Sequence, residues 1–149
     1  MKRVLLLCVF VSLPCLLFAW DIDRYKNFLN KPVPENAERV LVTEFVRPLQ
    51  STPQYSFYEI FEIDNGLVIM AALKIEGVPS ASRLFFSEML DTMEALGEPL
   101  MSNRTGATWV DNGYVIMLVY TAQNDDSASA VLYVLELGNL GLLRGVLEG

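Results

Sequence analysis

Histidine is absent from this 149-residue sequence, and its only two cysteines, Cys8 and Cys15, lie near the start of the chain. The lack of histidine excludes a Ser-His-Asp triad. The lack of cysteine beyond residue 15 excludes a thiol nucleophile, a disulfide and an ordinary zinc site in the rest of the chain. We therefore expect a protein that is not an enzyme and that has no cofactor and no bound metal. Burial of apolar side chains alone would have to stabilise the fold, and about 130 residues are enough for this in one domain.

The first 19 residues have the pattern of a secretory signal peptide. A basic start is followed by an apolar run over 4–19, which ends in the small residue Ala19. This run is shorter than the ~20 residues that a membrane-spanning helix needs. Cleavage after Ala19 would leave residues 20–149 as one exported domain, periplasmic in a bacterium or secreted. Two alternatives stay open: an uncleaved leader would anchor the chain in the membrane, and so would a lipid on Cys15.

Acidic side chains outnumber basic ones, with 18 Asp and Glu against 11 Lys and Arg and a formal net charge of −7. Loss of the leader would also remove Lys2 and Arg3, which changes the net charge to −9. Phosphate backbones and anionic membrane surfaces repel such a chain at long range. We therefore expect no nucleic-acid partner and no stable membrane insertion after cleavage, and we expect the partner to be another protein or a second copy of the chain.

Turn signals divide the chain into a short helix, two groups of three strands, and one long helix between the groups. The short helix is predicted over 20–30, and the long helix over 80–97, where apolar positions recur every three or four residues. The strands are predicted over 38–46, 55–63, 67–75, 107–110, 114–122 and 130–137. Short connections favour antiparallel neighbours. The predicted fold class is α+β, with a curved antiparallel sheet of about six strands and the long helix on one face.

Two stretches of the sequence, DNGLVIM at 64–70 and DNGYVIM at 111–117, match at six of seven positions. Each Asn-Gly pair predicts a two-residue hairpin turn, because both turn positions need a positive φ. The tripeptide SAS recurs with the same offset, at 80–82 and 127–129, but the first copy opens a predicted helix and the second precedes a predicted strand. Shared hairpin chemistry accounts for the match, and an internal duplication is the alternative.

Apolar residues on both faces of the central strands are the feature that bears most on function. In the predicted strand 114–122, Val115, Met117 and Val119 form one apolar face, and the alternate residues form another. A half-solvated antiparallel strand normally alternates apolar and polar residues. Six strands at about 4.8 Å span about 29 Å, whereas a helix is about 10 Å across and covers about a third of one face. Curling of the sheet with the terminal segments, a protein partner, or an apolar ligand would have to cover the remainder.

We expect an exported interaction module that binds another envelope protein, or itself, through apolar sheet surface. The acidic residues on one side of the long helix repel one another, and a basic partner would reduce this repulsion, although solvation alone also makes it tolerable. For Trp109 we expect a position in the core, and a contact with a partner is the alternative. The candidate contacts are Val115, Met117, Val119, Glu88, Asp91, Glu94 and Trp109. The alternative functions are a carrier or sensor of a small apolar ligand in a curved-sheet pocket, and a carboxylate-dependent hydrolase.

Overall fold

A computed structural model describes residues 22–143 of the chain. The predicted signal peptide, residues 1–19, lies outside the described residues. In chain order the elements are α1 (Ile22–Phe28), β1 (Glu38–Arg39), β2 (Glu44–Ser51), β3 (Tyr55–Asp64), β4 (Leu67–Gly77), α2 (Pro79–Met93), β5 (Met101–Ser102), β6 (Gly106–Asp111), β7 (Tyr114–Asn124) and β8 (Ser127–Glu136). Short 3-10 turns follow α2 at Glu94–Leu96 and β8 at Leu137–Leu143.

All eight strands belong to one antiparallel sheet, in the order β1-β2-β3-β4-β8-β7-β6-β5. The halves before and after α2 meet through the pairing of β4 with β8. The predicted α+β class, with antiparallel neighbours, one long helix and one short helix, is therefore confirmed. The predicted count of six strands is wrong, because β1 and β5 are two-residue edge strands, too short to show a periodicity of their own.

The predicted strand 38–46 is wrong in its bounds. The chain folds back inside this segment, so that Glu38 pairs with Val46 and Arg39 with Phe45. Pro48 lies inside β2, next to a register shift. Proline is tolerated there because β1 pairs only with residues 45 and 46, which leaves the outer edge of β2 open beside the missing N–H.

Both Asn-Gly turns have the backbone that the sequence predicts. The φ angles are 50° and 78° at Asn65 and Gly66, and 49° and 82° at Asn112 and Gly113. The β3–β4 and β6–β7 hairpins are therefore closed by turns in which both central residues have positive φ. The two SAS tripeptides also differ as expected, since the first lies in α2 and the second in β8.

Both helices pack against the same face of the sheet, here called the helix-covered face. Helix α2 buries Phe86, Met89 and Met93 of the expected apolar stripe, and it also buries Phe85. Helix α1 adds Tyr25 to the same core. Strand residues in this core include Phe57, Phe61, Leu73, Ile116, Leu118 and Leu132. None of the helices between residues 22 and 143 has the length and apolar character to cross a bilayer.

Candidate functional site

The strand register places three rows of mostly apolar side chains on the opposite face of the sheet, here called the second face. The first row is Glu62, Met70, Leu135, Val115 and Val110. The second row is Ile60, Ala72, Tyr133, Met117 and Thr108. The third row is Tyr58, Lys74, Val131, Val119 and Gly106. A polar fourth row of Ser56, Glu76, Ser129 and Thr121 bounds the apolar surface.

The second face has a buried apolar floor and an open apolar rim. Its buried apolar residues are Ile69, Met70, Ala72, Val115, Val131 and Leu135, all of which come from strands. No residue of α1 or α2 belongs to this cluster, whereas both helices contribute to the core on the other side. Val110 and Val119 are 47% and 37% exposed, and Met117 and Tyr133 are partly exposed. Apolar surface therefore remains accessible on this face.

The structure brings the three predicted strand contacts together on the second face. Val115 belongs to the buried floor, Met117 is partly exposed, and Val119 is exposed at the rim. Only Met117 and Val119 can therefore touch a partner without a change in the fold. Their role as contacts stays a prediction, while their common location is a property of the β7 register.

The predicted acidic contacts lie on the other side of the molecule. Glu88 is partly exposed on α2, Asp91 is exposed on the same helix, and Glu94 is exposed in the 3-10 turn that follows. They share the helical layer and not the second face, so one flat partner would not contact both sets. None of the ion pairs between residues 22 and 143 includes these carboxylates.

Trp109 lies in the helix-covered core and not at the surface. It is 4% exposed and stands opposite Ile116 in the β6–β7 ladder. Its indole Nε1 has no hydrogen-bond acceptor among the described residues. A direct contact of Trp109 with a partner would need the core to open.

Three carboxylates come together at one corner of the second face, and this cluster was not predicted from the sequence. Glu44 stands directly opposite Glu62, and Glu38 stands opposite Val46, two residues farther along β2. Alternation within 55–63 assigns Glu59 and Glu62 to opposite faces, which the structure confirms, but the sequence does not give the register with β2. These carboxylates border the first and second apolar rows.

Glu62 is the most buried of these three carboxylates, with 5% of its surface exposed. Burial raises the pKa of its carboxyl group above the usual value, a hydrogen bond donated by the Thr43 hydroxyl opposes this, and the nearby Glu44 adds to the rise. Like charges directly opposite each other in a ladder are destabilising. The fold therefore keeps an unfavourable pair at the border of its most apolar accessible surface.

Glu59 belongs to a separate, buried ion cluster under α1. The Arg47 Nε donates a 2.8 Å hydrogen bond to Glu59 Oε1, and the Arg24 Nε lies 3.6 Å from Oε2. Both guanidinium groups lie 5.5 Å from the centroid of the Phe28 ring. Burial, followed by the Glu59 carboxylate, raises the pKa of Tyr25. This cluster fixes α1 to the sheet, because Arg24 of α1 and Arg47 of β2 both lie against the Glu59 carboxylate.

A groove of about 250 Å³ lies between α1 and the end of α2. Its lining residues are Ile22, Asp23, Lys26, Thr92, Met93, Leu96 and Asp111. The Lys26 Nζ lies 3.4 Å from Asp111 Oδ2 and 4.8 Å from the centroid of the Tyr114 ring. The groove is on the helical side and carries charges, so it gives no support to an apolar-ligand pocket in the sheet.

Comparisons with protein-family models, with curated proteins and with solved structures find no significant match. Residues 22–143 contain no group of three or more acidic side chains placed to hold a metal ion. The candidate site is therefore defined by its geometry, and the second face is its main feature.

Proposed function

We propose that this chain is an exported, non-catalytic interaction module that binds another protein through the second face. The observation that carries this proposal is the open apolar rim, in which Val110 and Val119 remain exposed on a face that neither α1 nor α2 covers. Contiguous apolar surface with a polar border is typical of a protein interface. The polar fourth row and the carboxylates of Glu38, Glu44 and Glu62 supply such a border.

The dimensions of the second face suit a protein partner. Five strands at about 4.8 Å span about 24 Å, and three rows spaced by two residues occupy about 20 Å including side chains. The footprint of the three rows is then about 480 Å², which is smaller than the ~800 Å² that each partner contributes to a standard interface. The face therefore has the size of an interface core, which the surrounding polar residues would complete.

Photo-crosslinking from single positions tests this proposal. We expect a chain with p-benzoylphenylalanine in place of Val119 to give a light-dependent adduct with a protein in an envelope extract of the source cells. The matched control has the same residue in place of Asp91, which is exposed on the helical side. The substitution Met117→Glu should lower the yield at position 119 several-fold, because it places a charge at the centre of the second row.

The mass of the adduct identifies the class of partner. An adduct of twice the chain mass would indicate a second copy, and any other mass would indicate a different protein. An adduct at position 91 with none at position 119 would contradict docking on the second face. The absence of adducts at both positions would contradict the proposal as well.

A further inference from the structure

The corner of the second face formed by Glu38, Glu44 and Glu62, here called the acidic corner, specifies the chemistry of the partner. Glu44 and Glu62 stand opposite each other, and the register places Glu38 on the same face beside them. Glu38 is exposed and Glu44 is partly exposed, while Glu62 is nearly buried. Two of these carboxylates can therefore receive a hydrogen-bond donor from outside the molecule.

The basic residues nearest to the acidic corner in the strand ladder lie on the helix-covered face or already form an ion pair. Arg39 is on the helix-covered face, where its guanidinium lies 5.2 Å from the centroid of the Phe45 ring. Arg47 is also on that face and binds Glu59. Lys74 is on the second face, but its Nζ lies 3.5 Å from Glu76 Oε2. Within residues 22–143, no ion pair is formed by any carboxylate of the acidic corner.

Exposed apolar side chains lie on both sides of the acidic corner. On one side is the β1–β2 loop, in which Val40, Leu41 and Val42 are 52%, 64% and 84% exposed. The loop is held next to the corner, because the backbone N–H groups of Val40 and Leu41 both donate to the Glu44 carbonyl. On the other side the first and second rows continue from Glu62 and Ile60 into the apolar floor. The acidic corner therefore lies between two apolar patches.

We infer that the partner presents a lysine or arginine side chain to the acidic corner, with apolar side chains on either side of that cation. One side would contact the loop 40–42, and the other would contact the apolar rows. This inference rests on the proposed function, because it names the partner that the second face accepts. A second copy of the chain fits poorly, since it would bring another acidic corner and a lysine that Glu76 already holds.

Synthetic peptides of defined pattern test the inference by isothermal titration calorimetry. We expect a peptide of alternating lysine and leucine to bind the wild-type protein, a lysine–serine peptide to bind at least about tenfold more weakly, and a glutamate–leucine peptide not to bind. The variant Glu38→Gln/Glu44→Gln, which changes the two accessible carboxylates, should weaken the binding of the lysine–leucine peptide by about tenfold, the change that loss of one or two close charge pairs produces. Thermal unfolding should show this variant to be at least as stable as the wild type, because it removes a like-charge pair.

The matched control is Asp125→Asn/Asp126→Asn, which removes the same charge from the β7–β8 turn at the other end of the sheet. This control should bind the lysine–leucine peptide as tightly as the wild type. Equal weakening in both double variants would mean non-specific charge attraction and would overturn the inference. If the lysine–leucine peptide still binds Glu38→Gln/Glu44→Gln but no longer binds Val119→Glu, the cationic partner is overturned and the docking face remains. If the lysine–leucine peptide still binds both the acidic-corner double variant and Val119→Glu, the docking face is overturned as well.

Discussion

Replacement of Glu59 by alanine is expected to lower the free energy of unfolding by about 3 kcal/mol, measured by urea unfolding monitored by circular dichroism. Glu59 is completely buried, and its loss would leave the Arg47 guanidinium without a counter-ion in a mostly buried position. Breaking a buried ion pair from one side costs about 3–5 kcal/mol. The lower end of this range applies, because the Arg47 side chain is 20% exposed and can reach water.

Two further variants serve as controls, one for the volume of the Glu59 side chain and one for the loss of an exposed carboxylate. Glu59→Gln keeps the size of the side chain but removes its charge. It should lower the free energy of unfolding by almost as much as Glu59→Ala, because the Arg47 guanidinium again lacks a counter-ion. Glu94→Gln removes an exposed carboxylate and should change the free energy of unfolding by no more than about 0.5 kcal/mol. If Glu59→Ala costs less than about 1 kcal/mol, the cluster does not fix α1 to the sheet as described.

Replacement of Gly77 by alanine should lower the free energy of unfolding by about 3 kcal/mol or more. A Cβ at this position would lie 2.1 Å from the Gln54 carbonyl oxygen and 2.6 Å from the Tyr55 Cα. Both atoms belong to the backbone and cannot turn away as a side chain would. The same carbonyl accepts a 2.9 Å hydrogen bond from the Val78 N–H, so its displacement would also disturb the start of α2.

Gly138→Ala is the matched control for this substitution, because no atom lies within 4 Å of its Cβ position. Thermal unfolding of the two variants should place Gly77→Ala many degrees below the wild type and Gly138→Ala close to it. A similar unfolding temperature for both variants would show that β4 approaches the 54–55 backbone less closely than described.

The elements with strong local signals could be predicted from the sequence. The helix α2 follows from apolar positions at three and four residues. Gly97, which follows the 3-10 turn after α2, has a φ of 85°, a backbone angle that favours glycine. The turns at Asn65 and Asn112 follow from the Asn-Gly pair. Each of these features is decided by residues that are close in the chain.

The features that depend on pairing between distant segments could not be predicted. Glu44 and Glu62 come together through the β2–β3 register, which a bulge beside Pro48 also affects. The sequence of 38–46 predicts one continuous strand and not the observed hairpin, because Val40 and Val42 favour extended structure whether they are paired or lie in a loop. The candidate site was therefore found in part: the apolar strand face was predicted, and the acidic corner was not.

The methionine methyl groups offer the most direct test of the claim that the second face is open in the free protein. Met101 and Met117 lie on this face and are exposed or partly exposed, whereas Met89 and Met93 are buried under α2. A neutral soluble nitroxide added to the ¹³C-methyl-methionine protein should broaden the NMR signals of Met101 and Met117 and leave those of Met89 and Met93 sharp. A Met117 signal as protected as that of Met89 would show that the face is covered, and would contradict its role as a docking surface.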